Sequence, residues 1–256
     1  MIPNRPLVSF IVPALNEEEN LLPLFGRLLD LENGLGRAIE IVVVDDCSAD
    51  RTLEVARKAA VKHPQIQAFH KPLPHGLGRG IRFALDVVQG KAAVVVMADG
   101  VDPLETAVPE MCRKILEESC HLVLLSRYTD STDSQTIPLS YKVGHLLFRL
   151  IVSGALGIPH RDTTYAFRAF DVEFVRRLGL RSDGFEISPE ITFKTFYGGG
   201  KIGEVAGRQT RRVRGKSNFL FSEAARGYAR ILMEALGRRL LPPRLRSGHR
   251  IVGSMK

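Results

Sequence analysis

The chain has 256 residues, of which 45% are hydrophobic, 25% charged and 7% aromatic, enough apolar material for one buried core and the wrong balance for a disordered protein. Its three cysteines, Cys47, Cys112 and Cys120, include no close-spaced pair, which argues against a disulfide framework or a structural zinc site. Residues 1–6 do not read as a secretory signal, and no apolar run reaches the roughly 18 residues of a membrane span, since residues 146–158 are broken by Arg149; a cytoplasmic protein is expected.

Elements follow in a regular cycle. Residues 7–13 are a continuous apolar run rich in β-branched side chains, as in a strand buried on both faces. Asn16, with Glu19 three residues on, is placed as the N-cap of the next helix. Residues 39–44 predict a second strand, 45–50 a loop, and 51–62 a helix. A weaker strand at 65–70 precedes a glycine-rich turn, Gly76-Leu77-Gly78-Arg79-Gly80, and a helix over 81–88. That turn matches neither a Walker loop nor a dinucleotide fingerprint, and its glycines are expected to allow close backbone packing. Residues 92–97 form the most apolar strand, a helix runs through Ile115, and 121–126 make a fifth strand. Strands and helices alternating over short connections predict an α/β fold, a mostly parallel Rossmann-like sheet with helices on both faces.

After Arg127 the pattern changes. A polar loop leads to a helix over 138–156 with Leu139, Val143, Leu146, Leu147, Leu150 and Ile151 on one side. A further helix is expected over 187–197, short strands over 201–206 and 208–213, and a last amphipathic helix over 219–240 bearing Arg226, Arg230, Arg238 and Arg239. Charge is concentrated here. Residues 208–256 hold thirteen lysines and arginines against Glu223 and Glu234, a net of +11, so the rest carries −3 of the chain's +8. Such a basic end fits an anionic surface or substrate. Nucleic acid is disfavoured as a partner, because this region has no recognition motif and no aromatic residues interleaved with its arginines.

Ligands of parallel sheets bind beyond the carboxyl ends of the strands. Polar residues cluster at three such places: Pro13-Ala14-Leu15-Asn16-Glu17, Asp45-Asp46, and Met97-Ala98-Asp99. Carboxylates there serve either as helix caps or as ligands of a divalent cation that bridges a diphosphate, and their recurrence after three strands favours the second use.

The order of these segments resembles the family-two glycosyltransferases over about residues 7–219. Ile11-Val12-Pro13-Ala14-Leu15-Asn16-Glu17 is similar to the family's opening motif and the stretch from Val43 to Thr52 to its base-contacting loop. Leu125-Ser126-Arg127-Tyr128, Asp162-Thr163-Thr164-Tyr165-Ala166-Phe167-Arg168, and Glu204-Val205-Ala206 followed by Arg212-Val213-Arg214-Gly215-Lys216-Ser217-Asn218 resemble segments of the polyprenyl- and dolichyl-phosphate mannose or glucose synthases. The resemblance implies a GT-A fold over residues 1–218, with a nucleotide-binding half at about 7–127 and an acceptor half at about 128–218, then an amphipathic helix and basic tail at 219–256. It implies an inverting hexosyltransferase that moves a sugar from GDP-mannose or a UDP-sugar to a polyprenyl or dolichyl phosphate, with Mg²⁺ or Mn²⁺ as cofactor. A sugar-nucleotide-binding protein without catalysis, or with a non-lipid acceptor, is the alternative.

By the same resemblance, Pro13, Leu15, Glu17, Val43 and Asp45 line the nucleoside pocket, and Met97, Ala98, Asp99, Arg127, Arg212 and Asn218 complete the donor site. Asp99, Arg127 and Arg212 carry the reaction, and Asp99 with Asp102 holds the metal. Four positions depart from the pattern: Leu15 stands for a tyrosine, Met97 for the first aspartate of the metal motif, Val101 for a glutamine and Asn218 for a lysine. A peripheral position on the cytoplasmic face of a membrane, with a separate membrane anchor subunit as a further partner, completes the expectation.

Overall fold

The computed structural model describes residues 7–127, 139–208 and 221–240. Within them run β1 (Val8–Ala14), α1 (Leu21–Leu35), β2 (Ile39–Asp45), α2 (Thr52–Lys62), β3 (Ile66–His70), α3 (Leu77–Val87), β4 (Ala92–Val95), α4 (Leu104–Leu116), β5 (Leu122–Ser126), α5 (Leu139–Leu156), β6 (Arg168–Asp171), α6 (Val172–Arg176), α7 (Ile187–Tyr197), β7 (Ile202–Ala206) and α8 (Phe221–Leu240). The strands make one sheet in the order β3-β2-β1-β4-β6-β5-β7, parallel except for β6, which is antiparallel to both β4 and β5.

Every residue of β1, β2, β4 and β5 is buried, which is why these strands read as mostly apolar runs. Successive side chains go to opposite faces. Phe10, Val12 and Val43 pack with Leu24, Phe25 and Leu28 of α1 and Leu104, Val108 and Met111 of α4. Ile11, Val42 and Val44 pack on the other face with Ile81 and Leu85 of α3 and Ile187 and Ile191 of α7. A smaller cluster joins Val152 and Leu156 of α5, Phe193 of α7, and Ile231 and Ala235 of α8.

Several expected boundaries move. α1 begins at Leu21 with Asn20 as its cap, because Asn16 adopts a left-handed φ of 56° and turns its side chain to the neighbouring loop. α3 begins at Leu77, so Gly78 and Gly80 lie inside the helix. Close packing requires Gly78, where a Cβ would collide with the backbone of Ser182, whereas a Cβ on Gly80 would make only ordinary contacts with Pro13 and Val44. The antiparallel β6 and short α6 were not expected; β6 has four residues and opens on an arginine, too short for alternation to show. On α5 the described part of the apolar stripe faces outward. Leu146, Leu147, Leu150 and Ile151 are exposed, while Val152 and Leu156 face inward. Of the strand expected at 208–213, residues 209–213 lie outside the described residues, as do Arg212 and Asn218.

Candidate functional site

Because β1, β2, β4 and β5 run in one direction, their carboxyl ends meet at one rim of the sheet, and β6, running the other way, starts there. The rim thus gathers the segments after residues 14, 45, 96 and 126 and the segment before 168.

The loops after β1 and β2 are laced together. The Asn16 N–H donates to Ser48 Oγ at 3.0 Å, and Asn16 Oδ1 accepts from the Ala49 N–H at 2.8 Å. The Glu17 N–H donates to Thr52 Oγ1 at 2.8 Å and the Glu18 N–H to Asp50 Oδ2 at 3.2 Å. Glu17 is buried and accepts from Asn20 Nδ2 at 2.6 Å, while Leu15 is half-buried beside it. Asp45, at the end of β2, is 1% exposed; it accepts from the Ser48 N–H and lies 2.8 Å from His70 Nδ1. Asp46 pairs with the buried Lys71 ammonium at 2.6 Å and accepts from the Gly76 N–H at 2.7 Å, which fixes the entry to α3. Pro13 is buried at this edge. Val43 is fully buried in the core two residues before β2 ends, beneath the rim.

The turn after β4 carries the acidic motif. Met97 and Asp99 are half-buried, Ala98 and Val101 are buried, and Asp99 Oδ1 accepts weakly from the Val101 N–H at 3.4 Å. From α1, Arg27 donates to the carbonyls of Gly100 at 2.7 Å and Asp102 at 2.9 Å and so pins the turn. Asp102 has no exposure. Its Oδ2 accepts from the Met97 N–H at 2.9 Å and its Oδ1 from the Tyr165 hydroxyl at 2.5 Å. Burial pushes its carboxyl up to about 7, against the opposing pull of those two donors. Asp102, expected beside Asp99 as a metal ligand, faces the interior with both oxygens engaged.

On the acceptor side, Arg127 follows β5. Its Nε donates to Asp162 Oδ2 at 2.7 Å and its terminal nitrogen to Oδ1 at 3.3 Å, a forked pair on a carboxylate with no exposure. His145 of α5 lies 3.2 Å from the same Oδ1. Burial alone would raise the Asp162 carboxyl, but Arg127 and His145 outweigh it and hold the group well below the usual carboxylate range. The guanidinium also stacks 4.1 Å from the Tyr165 ring centroid. Behind this group lies Arg168, 1% exposed, donating to Ser188 O at 2.5 Å, Thr192 Oγ1 at 3.1 Å, Thr163 O at 3.3 Å and Tyr165 O.

The geometry thus brings Leu15, Glu17, Asp45, Met97, Asp99 and Arg127 to one rim. Arg27, His145 and the Tyr165 hydroxyl were missed as site residues. Tyr165 and Asp162 lie inside the 162–168 motif; Arg27 and His145 read as polar positions on amphipathic helices, and nothing local distinguishes them. Among the described residues no group of three or more His, Cys, Asp or Glu is placed to hold a metal ion. One carboxylate at Asp99 suits Mg²⁺ or Mn²⁺ when phosphates and water fill the remaining positions, because Mg²⁺ typically keeps waters and takes one or two carboxylates.

Residues 9–179 match the family model described as "Glycosyl transferase family 2". The chain is 32% identical over 214 residues to a dolichol-phosphate mannosyltransferase of Pyrococcus furiosus, covering 82% of this chain and 58% of that protein, so it spans little more than half of that relative's length. It is 30% identical over 220 residues to an undecaprenyl-phosphate mannosyltransferase of Micrococcus luteus, covering 82% and 86% of the two chains. Among solved structures it matches glucosyl-3-phosphoglycerate synthase from Mycobacterium tuberculosis in complex with uridine diphosphate, with a TM-score of 0.67 at 20% identity over 91% of this chain and 80% of that one, a likeness of fold. The mostly parallel sheet, the rim where its strands end and the family match over residues 9–179 place this chain in glycosyl transferase family 2, on a GT-A fold.

Proposed function

We propose that this chain transfers a hexose from a nucleoside-diphosphate sugar to a polyprenyl or dolichyl phosphate, with inversion at the anomeric carbon. The observation that carries the proposal is the joining of two halves at one rim: the Asp99 turn, suited to a donor diphosphate, stands beside Arg127, a guanidinium held in a fixed orientation and suited to a phosphate monoester. The named relatives favour a lipid-linked acceptor.

A phosphate monoester has a second pKa near about 6 and is largely ionised at neutral pH, so its oxygen needs no strong catalytic base. That oxygen bonds to the anomeric carbon as the bond from that carbon to the diphosphate breaks, and the nucleoside diphosphate leaves with the electron pair. Arg127 offsets charge on the acceptor, and Arg212, with Asn218 nearby in sequence, serves the donor phosphates. Asp99 is the side chain to hold Mg²⁺ or Mn²⁺, which neutralises charge on the leaving diphosphate when bound. Pro13, Leu15, Glu17 and Asp45 form the nucleoside side of the rim. Residues 7–127 then act as the donor half and 128–218 as the acceptor half.

No described helix is long and apolar enough to cross a membrane. The exposed Leu146, Leu147, Leu150 and Ile151 of α5 offer a face to a bilayer surface, and the arginines of α8 offer charge to anionic head groups on the cytoplasmic side, alone or beside a separate anchor subunit.

The test is transfer of radiolabel from GDP-mannose and a panel of UDP-sugars to polyprenyl phosphate, with 3-phosphoglycerate as a second acceptor, in Mg²⁺ or Mn²⁺, with Asp99→Ala as control. Organic-extractable counts from one donor, abolished in the control, are expected. One observation favours a second reading, a sugar-nucleotide-binding protein without catalysis: Met97 and Val101 cannot ligate the metal and Asp102 is turned inward. Nucleotide binding without transfer to either acceptor would decide for it.

A further inference from the structure

We propose that Tyr165 is a positioning residue that locks the donor-side Asp99 turn to the acceptor-side Arg127, and that Asp102 serves this lock rather than the metal shell. The inference rests on the functional reading above. Tyr165 is 8% exposed and meets both halves of the site at once. Its ring lies under the Arg127 guanidinium at 4.1 Å. Its hydroxyl donates at 2.5 Å to Asp102 Oδ1, while Asp102 Oδ2 takes the Met97 N–H at 2.9 Å. The Tyr165 N–H donates to Asp162 Oδ1 at 3.3 Å, and its carbonyl is gripped by the buried Arg168.

Each contact fixes one degree of freedom. Arg168 and Asp162 hold the tyrosine backbone, so the ring has one place to lie. The ring and Asp162 together set the plane of the Arg127 guanidinium, which a bidentate phosphate contact needs. The hydroxyl reaches through Asp102 to the backbone of Met97, two residues before Asp99, and so fixes the turn that presents the Asp99 carboxylate. The two reacting partners are thereby held in one frame, and small misplacements of such a frame cost rate. A turn with one ligating carboxylate in place of a fuller set depends more on that carboxylate being fixed.

Tyr165→Phe separates the functions of the side chain, because the ring stays under Arg127 while the link to Asp102 is cut. The expected result is a loss of about tenfold in kcat, and of about tenfold in Mn²⁺ affinity read by electron paramagnetic resonance in the presence of GDP or UDP, the size of one buried hydrogen bond whose loss leaves its partner unsatisfied. KM for polyprenyl phosphate should stay within about twofold of wild type. Asp102→Asn cuts the link from the other side, since the amide cannot accept both donors in the same way, and should match Tyr165→Phe; the double variant should be no worse than either single one. Tyr165→Leu, which also removes the ring, should raise KM for the acceptor.

A purely structural role would lower the melting temperature and leave kcat and Mn²⁺ affinity of the folded protein unchanged, and that result in both Tyr165→Phe and Asp102→Asn overturns the inference. The Mn²⁺ arm needs no acceptor, so wild-type protein that binds Mn²⁺ with nucleotide but transfers nothing sinks the functional reading while the lock is still judged by that arm. Wild-type protein that transfers sugar, with Tyr165→Phe equal to it in rate and Mn²⁺ affinity, sinks the lock alone. Wild-type protein that does neither overturns both.

Discussion

Asp162 grips Arg127 through a forked hydrogen bond, at 2.7 Å to one oxygen and 3.3 Å to the other, from a position without solvent access, while the arginine side chain is 15% exposed. One end of the pair is therefore anchored and the other is presented at the rim. Asp162→Asn removes the charge that holds the guanidinium and leaves a buried cation without its counter-charge. Breaking one side of a buried ion pair costs about 3–5 kcal/mol in favourable cases, and the partial exposure of Arg127 and the second grip from the Tyr165 ring put the expectation toward the lower end. The outcome expected is a lower melting temperature together with a KM for the acceptor phosphate raised about tenfold. A variant that loses stability while its KM stays at the wild-type value would show that Asp162 only holds the fold.

The carboxyl of Asp102 makes stability depend on pH near neutrality. Burial raises it to about 7 from the 3.8 of an exposed aspartate, although the Tyr165 hydroxyl and the Met97 N–H pull the other way. Between those two values the folded chain holds a proton that the unfolded chain has released. Stability from this group is thus full below the unfolded value and is lost as pH rises through the folded one. Asp102→Asn carries no titrating group there. The advantage of wild type over Asp102→Asn in urea unfolding should therefore be larger at pH 5 than at pH 8, by an amount on the order of 1–4 kcal/mol. Parallel pH profiles for the two proteins would mean that Asp102 stays ionised throughout.

How much of this was legible depended on whether a feature was local. β1, β2 and β4 announce themselves because a parallel strand covered on both faces is apolar at nearly every position, with Ser9 and Glu40 tolerated as a buried hydrogen-bonded pair. β6 does not, because its four residues begin with Arg168, a side chain that the fold buries by giving it carbonyl partners from α7 and from the 163–165 segment. Asn16 has the chemistry of a helix cap, yet its side-chain oxygen accepts from the Ala49 N–H across a gap of 33 residues. The site shows the same division. Asp45 and Asp99 stand at or just past strand ends and are singled out from that place, whereas Arg127 is singled out through the resemblance of its motif. The inward turn of Asp102 rests on a hydrogen bond to Tyr165, 63 residues away, and the exposure of Leu147 and Leu150 rests on where α7 and α8 lie. Periodicity tells that a helix has an apolar side and leaves open which neighbour covers it.

Met97 offers a gain-of-function test of the metal reading. It is half-buried, two residues from Asp99, and its backbone is already fixed by Asp102. Met97→Asp places a second carboxylate on the turn without disturbing that backbone bond. If Asp99 holds Mg²⁺ or Mn²⁺, the added carboxylate should tighten Mn²⁺ binding with GDP or UDP present by about tenfold, since hard cations gain affinity with ligand charge. Unchanged Mn²⁺ affinity would place the cation away from this turn.

Gly78 tests the packing of the donor rim. A Cβ there would run into the Ser182 carbonyl and also meet Asp183, whose own carbonyl accepts from the Arg79 N–H at 3.2 Å and whose carboxylate pairs with Arg79 and Arg82. Backbone cannot swing aside as a side chain can, so Gly78→Ala should destabilise the protein by about 1–3 kcal/mol, the range for overpacking in a closed interior. Gly34, with open space around its Cβ direction, provides the control, and Gly34→Ala should leave the melting temperature unchanged or raise it slightly. Equal melting temperatures for Gly78→Ala and wild type would show that the 182–183 segment yields.

The exposed face of α5 makes a membrane prediction that separates surface chemistry from stability. Leu147 and Leu150 are each 57% exposed and stand three residues apart on one side of the helix, with Leu146 and Ile151 beside them. Soluble monomers seldom leave such a patch uncovered without a use for it. The purified protein should bind liposomes containing anionic lipid, and the binding should weaken steeply between low and physiological salt, because the basic end of the chain supplies part of the attraction. Replacing Leu147 and Leu150 together by glutamate removes apolar contact and adds repulsion, so sedimentation with the liposomes should be lost while the melting temperature holds, both side chains being largely exposed already. Binding that survives the double substitution would assign the attachment to the arginines of α8 and the basic tail alone, and α5 would then need a protein partner to cover it.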